Sequence, residues 1–416
     1  MTRPVVLAHL DWQRPGDPRT GLGVASIAAQ LGVSDVPTLL VSDAVNRADF
    51  DAEAWVDWVI DATVDAGPEA ILGISAYVWS EPEVQHLLRE ACNRTAALIV
   101  VGGPQVSYVG PGQLEALYPG AHAFVRGQGE LALAALALDD DSAGLGVHFS
   151  GQVDLGRRAD APLDGLASPY LDHDLPLGEA VRWETQRGCP FACSFCQHRE
   201  PGSRLRNQRL AKDRLRAEAE AFAAAGVRRV SVLDPIFHVN RDRATAILRM
   251  LKEVGLTARL SLQCRFELLT PDFLDALADL DVELEFGLQT AVEAESAVIG
   301  RRNRMELVEA GIRDLHQREI PFLVSLIYGL PLQTLDSFRH SVGWCLDRGV
   351  TTVRAWPLML LRGTPLHAER SRWGYVESSG DRIPVVVASD SFSRDDHAAM
   401  ARIAAELDTT TTRGGA

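Results

Sequence analysis

Ala180-Val181-Arg182-Trp183-Glu184-Thr185-Gln186 reads as a short strand, and Gly188-Cys189-Pro190-Phe191-Ala192-Cys193-Ser194-Phe195-Cys196 follows it almost at once. The three cysteines are spaced C-x3-C-x2-C, in the loop directly after that strand. A short loop lets three thiolates converge on one face of a metal group. Soft thiolates suit iron–sulfur clusters and zinc alike. A structural zinc wants a fourth protein ligand, and no Cys or His pair of finger-like spacing follows, although His198 is near. Three ligands on a four-iron cluster leave one iron open, as a reaction at the metal requires. A zinc site completed by His198, or three unligated core cysteines, are the readings that the residues alone leave beside it.

Working outward, the strand opens a β/α series. Further strands are expected at 228–234, 258–264, 283–289, 322–329 and 352–360, with helices between them. The clearest helix covers 209–226 and stops at Gly226. Six such units predict a (β/α)6 partial barrel over residues 179–368, with chemistry at the carboxyl ends of its strands. Residues 369–416 form a short C-terminal extension ending in TTTTRGGA.

Ahead of the barrel, residues 1–145 alternate buried-type strands (4–10, 37–43, 70–79, 97–103, 122–127) with helical stretches near 22–31, 53–66, 82–92, 112–118 and 130–138. That alternation predicts a flavodoxin-like, doubly wound parallel sheet. Residues 146–178, rich in Asp, Gly and Pro without periodicity, read as a linker.

Composition narrows the partners. A formal net charge of −15 over 416 residues disfavours nucleic acid and anionic membrane surfaces as obligatory partners. No apolar run approaches the roughly 20 residues that span a bilayer. Six cysteines are too few for a disulfide framework, so a cytoplasmic, reduced protein is expected.

The cysteine motif and its place after a first barrel strand resemble the signature of radical S-adenosylmethionine (SAM) enzymes. The resemblance implies a [4Fe–4S] cluster on Cys189, Cys193 and Cys196, with SAM chelated at the open iron and Phe195 packed against its adenine. It places Asp234 at the SAM amino group, although the usual Gly-Gly-Glu is absent there. In Glu285-Phe286-Gly287-Leu288-Gln289-Thr290 it places Gln289 at the SAM ribose or carboxylate. In Ile299-Gly300-Arg301-Arg302 an arginine, taken as Arg301, pairs with the SAM carboxylate. Tyr328, before Gly329-Leu330-Pro331, falls at an adenine-contact position.

The N-terminal domain resembles the cobalamin-binding domain of one large radical SAM subclass. The matching features are Ser75 at a strand end, Gly102-Gly103-Pro104, Gly127-Gln128-Gly129-Glu130 and a helix start at Gly21-Leu22-Gly23. In the first loop, Gln13 takes the place where other cobalamin proteins carry a cobalt-ligating histidine, so cobalamin is expected without histidine below the metal. Both cofactors together imply a two-SAM methylation of an unactivated carbon in a small-molecule or peptide metabolite, of the kind found in antibiotic biosynthesis. A flavodoxin- or ferredoxin-type reductant is implied as electron donor. Non-methylating radical chemistry with the same domains, and a cofactor-binding sensor without turnover, are the competing readings. Cys264, Glu267, Trp356 and His238 are further strand-end groups that could face substrate.

Overall fold

The computed structural model describes residues 2–18, 20–140, 146–172, 177–198 and 208–413. It divides into two units, Met1–Arg182 and Trp183–Ala416.

The first unit contains β1 (Val5–Asp11), α1 (Leu22–Val33), β2 (Thr38–Ala44), α2 (Ala52–Ala66), β3 (Ile71–Ser75) and α3 (Glu81–Arg94). It continues with β4 (Leu98–Gly102), α4 (Pro104–Ser107), α5 (Leu114–Leu117), β5 (Ala123–Val125), α6 (Gly129–Ala137) and β6 (Val147–Phe149). Every residue of β1 is buried, as expected of a strand covered on both faces. One apolar layer, with Trp55, Val59, Leu87 and Phe124, packs on one face; Leu7, Leu31, Val36 and Leu133 fill the other. The sheet order is β2-β1-β3-β4-β5-β6. The chain therefore reverses direction across the sheet between β1 and β3, and their carboxyl ends form the crevice where open α/β sheets bind ligands.

The stretch expected as a linker differs from that expectation. Its start, β6, pairs antiparallel with β5, and Gly127 bridges to Ala159. Asp154 takes both ends of the Arg126 guanidinium at 2.7 and 2.8 Å, both side chains being almost fully buried. The segment's apolar residues carry no period, which hid it, yet Val147, Ala159, Ala161, Leu163 and Leu166 are buried, beside the backbone pairing and the Arg126–Asp154 ion pair.

The second unit is built on β7 (Ala180–Trp183), which starts just before the boundary, then β8 (Gln186–Arg187), β9 (Gln208–Arg209), α7 (Lys212–Ala224), β10 (Arg229–Val232), α8 (Arg241–Glu253) and β11 (Arg259–Cys264). It goes on through α9 (Pro271–Leu277), β12 (Val282–Gln289), α10 (Glu293–Val298), α11 (Met305–Gln317), β13 (Phe322–Tyr328), α12 (Leu335–Leu346) and β14 (Val353–Pro357). α13 (Pro365–Ala368) follows β14, and the extension supplies a small hairpin of β15 (Val376–Glu377) and β16 (Val386–Ala388), and α14 (Arg394–Arg413). The six-stranded sheet runs β14-β13-β12-β11-β10-β7. Gly226 follows α7 at φ 68° and ends it as expected. Among the described residues no helix is long and apolar enough to cross a membrane.

Alternation along β12 sorts the two faces of this sheet: Leu284, Phe286 and Leu288 are buried towards the helices, while Glu283, Glu285, Gly287 and Gln289 face the other way. Register carries that inner face to Gln263 on β11, Ser325 on β13 and Trp356 on β14. Gln263 Nε2 and Ser325 Oγ donate to Glu285 at 2.7 and 2.6 Å, which confirms that they share it.

Candidate active site

The cysteine loop begins where β7 gives out, and Asp234 sets its departure. This carboxylate is fully buried and accepts from Thr185 N–H at 2.7 Å, Thr185 O–H at 2.5 Å and Gln186 N–H at 3.1 Å. Burial pushes it up to about 7 against those three hydrogen bonds. The expectation that Asp234 meets the SAM amino group is corrected by this arrangement. Its oxygens are spent on the backbone that leads into the loop.

Gly188, at φ 90°, then turns the chain into the motif. Ser194 N–H donates to Ile299 O at 2.9 Å, Leu366 N–H donates to Ser194 O at 3.1 Å, and Gln197 Nε2 donates to Arg362 O at 2.9 Å. Gly300, at φ 66°, passes so near the loop that a Cβ would sit 3.1 Å from Ala192 O. Cys193 is buried, Cys189, Phe195 and Cys196 half-buried. Burial pushes the Cys189 thiol up, and the Cys196 thiol up to about 11, with the neighbouring cysteines adding to both. The thiols do not close on one point: among the described residues no three of His, Cys, Asp and Glu could hold a single metal ion. A four-iron cluster asks for something else, one thiolate on each of three irons.

Two arginines flank the loop. Arg265, just past β11, lays its guanidinium carbon 3.9 Å from the Phe191 ring centroid. Arg301 brings Nη1 to 4.0 Å from Cys193 Sγ. They are only 5% and 9% exposed. Arg301 Nε is buried with no hydrogen-bond partner, and burial followed by the charge of Arg265 holds this guanidinium below its usual range. One carboxylate, Glu267, meets Arg265 at 3.2 and 3.3 Å. Two buried cations against one anion is costly unless an anionic group completes the site. A thiolate-ligated cluster and a ligand carboxylate are such groups, so the donor set fits.

Gln289 joins them at the end of β12. It is one of the few non-glycine residues in the left-handed region, at φ 70°, and the β12–β13 register shifts beside it. A Cβ on Gly287 would run into Gln289 Nε2 and lie 3.5 Å from Arg301 Nη2, so the amide folds back over Gly287 towards Arg301. Asn303 Nδ2 holds this backbone by donating to Leu288 O at 2.9 Å and Thr290 O at 3.3 Å. Strain over-determined in this way is characteristic of functional sites. The structure also separates the paired arginines: Arg301 is buried beside Cys193, whereas Arg302 is exposed.

Other expectations fare differently. Tyr328 packs between Phe338 of α12 and His397 of α14, at centroid distances of 5.7 and 5.3 Å. That is the helix side of the sheet, which corrects its placing as an adenine contact. Cys264 alternates with Gln263 and Arg265, so it is buried on that same far side. His238 is buried, accepts Arg265 N–H at 2.9 Å and packs on Phe273. Glu267 is committed to Arg265, while Trp356 stays 40% exposed on the inner face. Sequence reasoning missed Arg265 and Asn303; the polar alternation Ser261, Gln263, Arg265 is the signal that could have found the first.

In the first unit, the β1/β3 crevice gathers His9, Ser75 and Tyr77. His9 Nδ1 is bonded to Ser75 Oγ at 2.7 Å, its Nε2 is buried without a partner, and burial lowers it to about 4. The glycines of the α1 start press close: a Cβ on Gly21 would be 2.8 Å from His9 Nε2, and one on Gly23 would be 3.3 Å from Tyr77 Oη. Tyr77 stacks on Trp79 at 4.6 Å. Asp11, the last residue of β1, pairs with Arg182 at 2.6 Å. The small residues Ser75 and Gly102 at the strand ends suit a bulky planar cofactor. Gln13 is half-buried in the first loop, where its backbone is tied to Asn46 at 2.9 and 2.7 Å. Two of the expected cofactor glycines serve the chain itself. A Cβ on Gly103 (φ 98°) would lie 2.7 Å from Ala76 O, and one on Gly127 (φ 83°) would collide with Ala159 O. Pro104 starts α4; Gly129 and the buried Glu130 start α6.

Against this geometry stand the similarities to known proteins. Residues 183–345 match the Radical SAM superfamily, and residues 19–137 match the B12 binding domain. The chain is 26% identical over 394 residues to 2-(S-pantetheinyl)-carbapenam-3-carboxylate methyltransferase of Streptantibioticus cattleyicolor, covering 82% of this chain and 56% of that protein. It is 27% identical over 338 residues to the cobalamin-dependent radical SAM methyltransferase TokK of Streptomyces tokunonensis, covering 71% of this chain and 48% of that one. It thus spans about half the length of these curated relatives. In fold it resembles the radical SAM methyltransferase TsrM of Kitasatospora setae, solved with cobalamin and a [4Fe-4S] cluster, with TM-score 0.71 at 18% identity over 92% of this chain and 81% of that one.

Proposed function

We propose that this chain, which belongs to the radical SAM superfamily and carries a B12-binding domain ahead of its radical SAM domain, methylates a carbon of a small-molecule or peptide metabolite. The observation that carries the reading is the surplus of buried positive charge at the cysteine loop, in a chain that also carries the B12-binding fold. When bound, cluster, SAM and cobalamin supply one-electron reduction and methyl carriage, for which a flavodoxin- or ferredoxin-type donor is the electron source.

The chain's own residues bind and orient. Cys189, Cys193 and Cys196 hold the cluster, and Gly300 lets the α10–α11 connection brace their loop. Arg301 would pair with the SAM carboxylate and Gln289 would hold its ribose or carboxylate, each on a backbone fixed elsewhere. Such positioning converts a bimolecular encounter into an oriented one. Phe195 supplies a half-buried aromatic wall next to Cys196. In the first unit, Ser75, Gly102, Glu130 and Gln13 are the residues that would hold the cobalamin. His9 is tied through Nδ1 to Ser75.

The test incubates anaerobically reconstituted enzyme with reductant, a bacterial metabolite extract and SAM labelled in its methyl group. A methyltransferase yields a labelled product with both S-adenosylhomocysteine and 5′-deoxyadenosine. Formation of 5′-deoxyadenosine with no label transfer would replace methylation by another radical outcome, and neither product would leave a cofactor-binding protein.

A further inference from the structure

Glu267 is surplus to cysteine ligation and to SAM contact, yet it is held with unusual care. It lies on a 3-10 turn, Phe266–Leu268, whose Phe266 stacks on Phe286 at 4.0 Å. Its two oxygens take Arg265 Nε and Nη2 at 3.3 and 3.2 Å. Although burial works the other way, those hydrogen bonds and the charge of Arg265 keep its carboxyl below the ordinary range. Arg265 is fixed in turn: its N–H donates to buried His238, and its guanidinium stacks on Phe191, inside the cysteine motif. Arg301, on the other side, lies 4.0 Å from Cys193 Sγ and within electrostatic range of both Arg265 and Glu267. The three side chains therefore present two positive charges and one negative charge to the cysteine loop, a net surplus of one.

We propose that the Arg265–Glu267 pair is a charge device that sets the reduction potential of the cluster; this rests on the reading that Cys189, Cys193 and Cys196 hold that cluster. An electron arriving at the cluster adds one negative charge, which the surplus positive charge stabilises. In a buried site that interaction is far stronger than in water. Glu267 moderates it by cancelling one arginine. Removing the carboxylate charge raises the surplus to two, so reduction becomes easier. Removing the guanidinium charge cancels the surplus, so reduction becomes harder. Neither residue touches SAM or the irons in this account; both are positioning residues that act through the field and through Phe191.

The experiment is a dithionite titration of the anaerobically reconstituted full-length protein, followed by electron paramagnetic resonance of the reduced cluster, with iron and sulfide quantified for each variant. Glu267→Gln is expected to move the potential upward and Arg265→Gln downward. Each shift is about tenfold in the reduced-to-oxidised ratio at fixed potential, or about 59 mV for one electron. Arg265→Lys, which keeps the charge but loses the planar stack, is expected to stay near wild type. Opposite signs are something that a merely structural role does not produce. Shifts of one sign, or an unmoved Glu267→Gln potential at full iron content, would overturn the proposal. Should Arg265→Gln fail to hold iron, an upward shift in Glu267→Gln with Arg265→Lys near wild type supports the proposal, and an equal shift in both overturns it. Separately, full iron retention in Cys193→Ala would remove the underlying cluster reading, whatever the potentials do.

Discussion

The crevice of the first unit and the cysteine loop of the second are built from opposite materials. At the first, glycine-rich strand ends close on the chain's own backbone, as Gly103 does on Ala76 and Gly127 on Ala159. At the second, buried charge is left over: Arg301 keeps an unpartnered Nε beside Cys193, and Arg265 and Glu267 leave the balance positive. A glycine that permits close approach does not say what approaches it, and here the answer is twice the protein itself. An unpaired buried cation is more specific, because folding alone gives no reason to keep it.

That contrast can be broken at several points, of descending effect. The Arg126–Asp154 pair should behave as structure and not as a site. Arg126→Met, which leaves the buried Asp154 its two backbone N–H donors but no cation, is expected to destabilise the first unit by about 3–5 kcal/mol, read as a lowered urea midpoint, with iron content unchanged. Its loss without destabilisation would show that the pair does not hold the fold.

Asp234 comes next. Its carboxyl is raised from 3.8 to about 7, so between those values the folded protein binds more protons than the unfolded one. Its contribution therefore weakens as pH rises from about 4 to about 7 and is flat above. Asp234→Asn is expected to remove that slope, a difference of up to roughly 4 kcal/mol across the window, while SAM affinity holds. A large loss of SAM affinity at unchanged stability would restore Asp234 as a SAM contact.

Gly127→Ala places a Cβ against Ala159 O at a positive φ and should cost about 2 kcal/mol. Corrin should be lost only in proportion to unfolding. Gln289→Gly works in the other direction. Relief of the φ 70° backbone should stabilise the second unit by about 1 kcal/mol, while isothermal titration shows weaker SAM binding. Unchanged affinity would mean that the strain at Gln289 serves nothing at this site.

Much of this was legible in the residues. The C-x3-C-x2-C spacing after a strand, the two β/α series and the stop at Gly226 depend on local signals that single-sequence reasoning reads well. What escaped is non-local. Asp234 looked like a strand-end ligand because its partners, Thr185 and Gln186, are about 50 positions away in sequence. Tyr328 was a matter of strand parity: one residue decides which face a side chain takes. Arg265 and Phe191 meet only because β11 and the cysteine loop end at the same edge of the sheet. The segment around Asp154 carried no hydrophobic period to announce that it belongs to the first unit.

The account turns on the cluster and the corrin being held in one chain. Iron, sulfide and corrin should be quantified after anaerobic reconstitution, with an ultraviolet–visible spectrum, for the wild type and for the triple variant Cys189→Ala/Cys193→Ala/Cys196→Ala. The account predicts about four irons and one corrin in the wild type, and loss of the irons alone in the variant. Zinc in place of iron, or irons that survive the triple substitution, would contradict it.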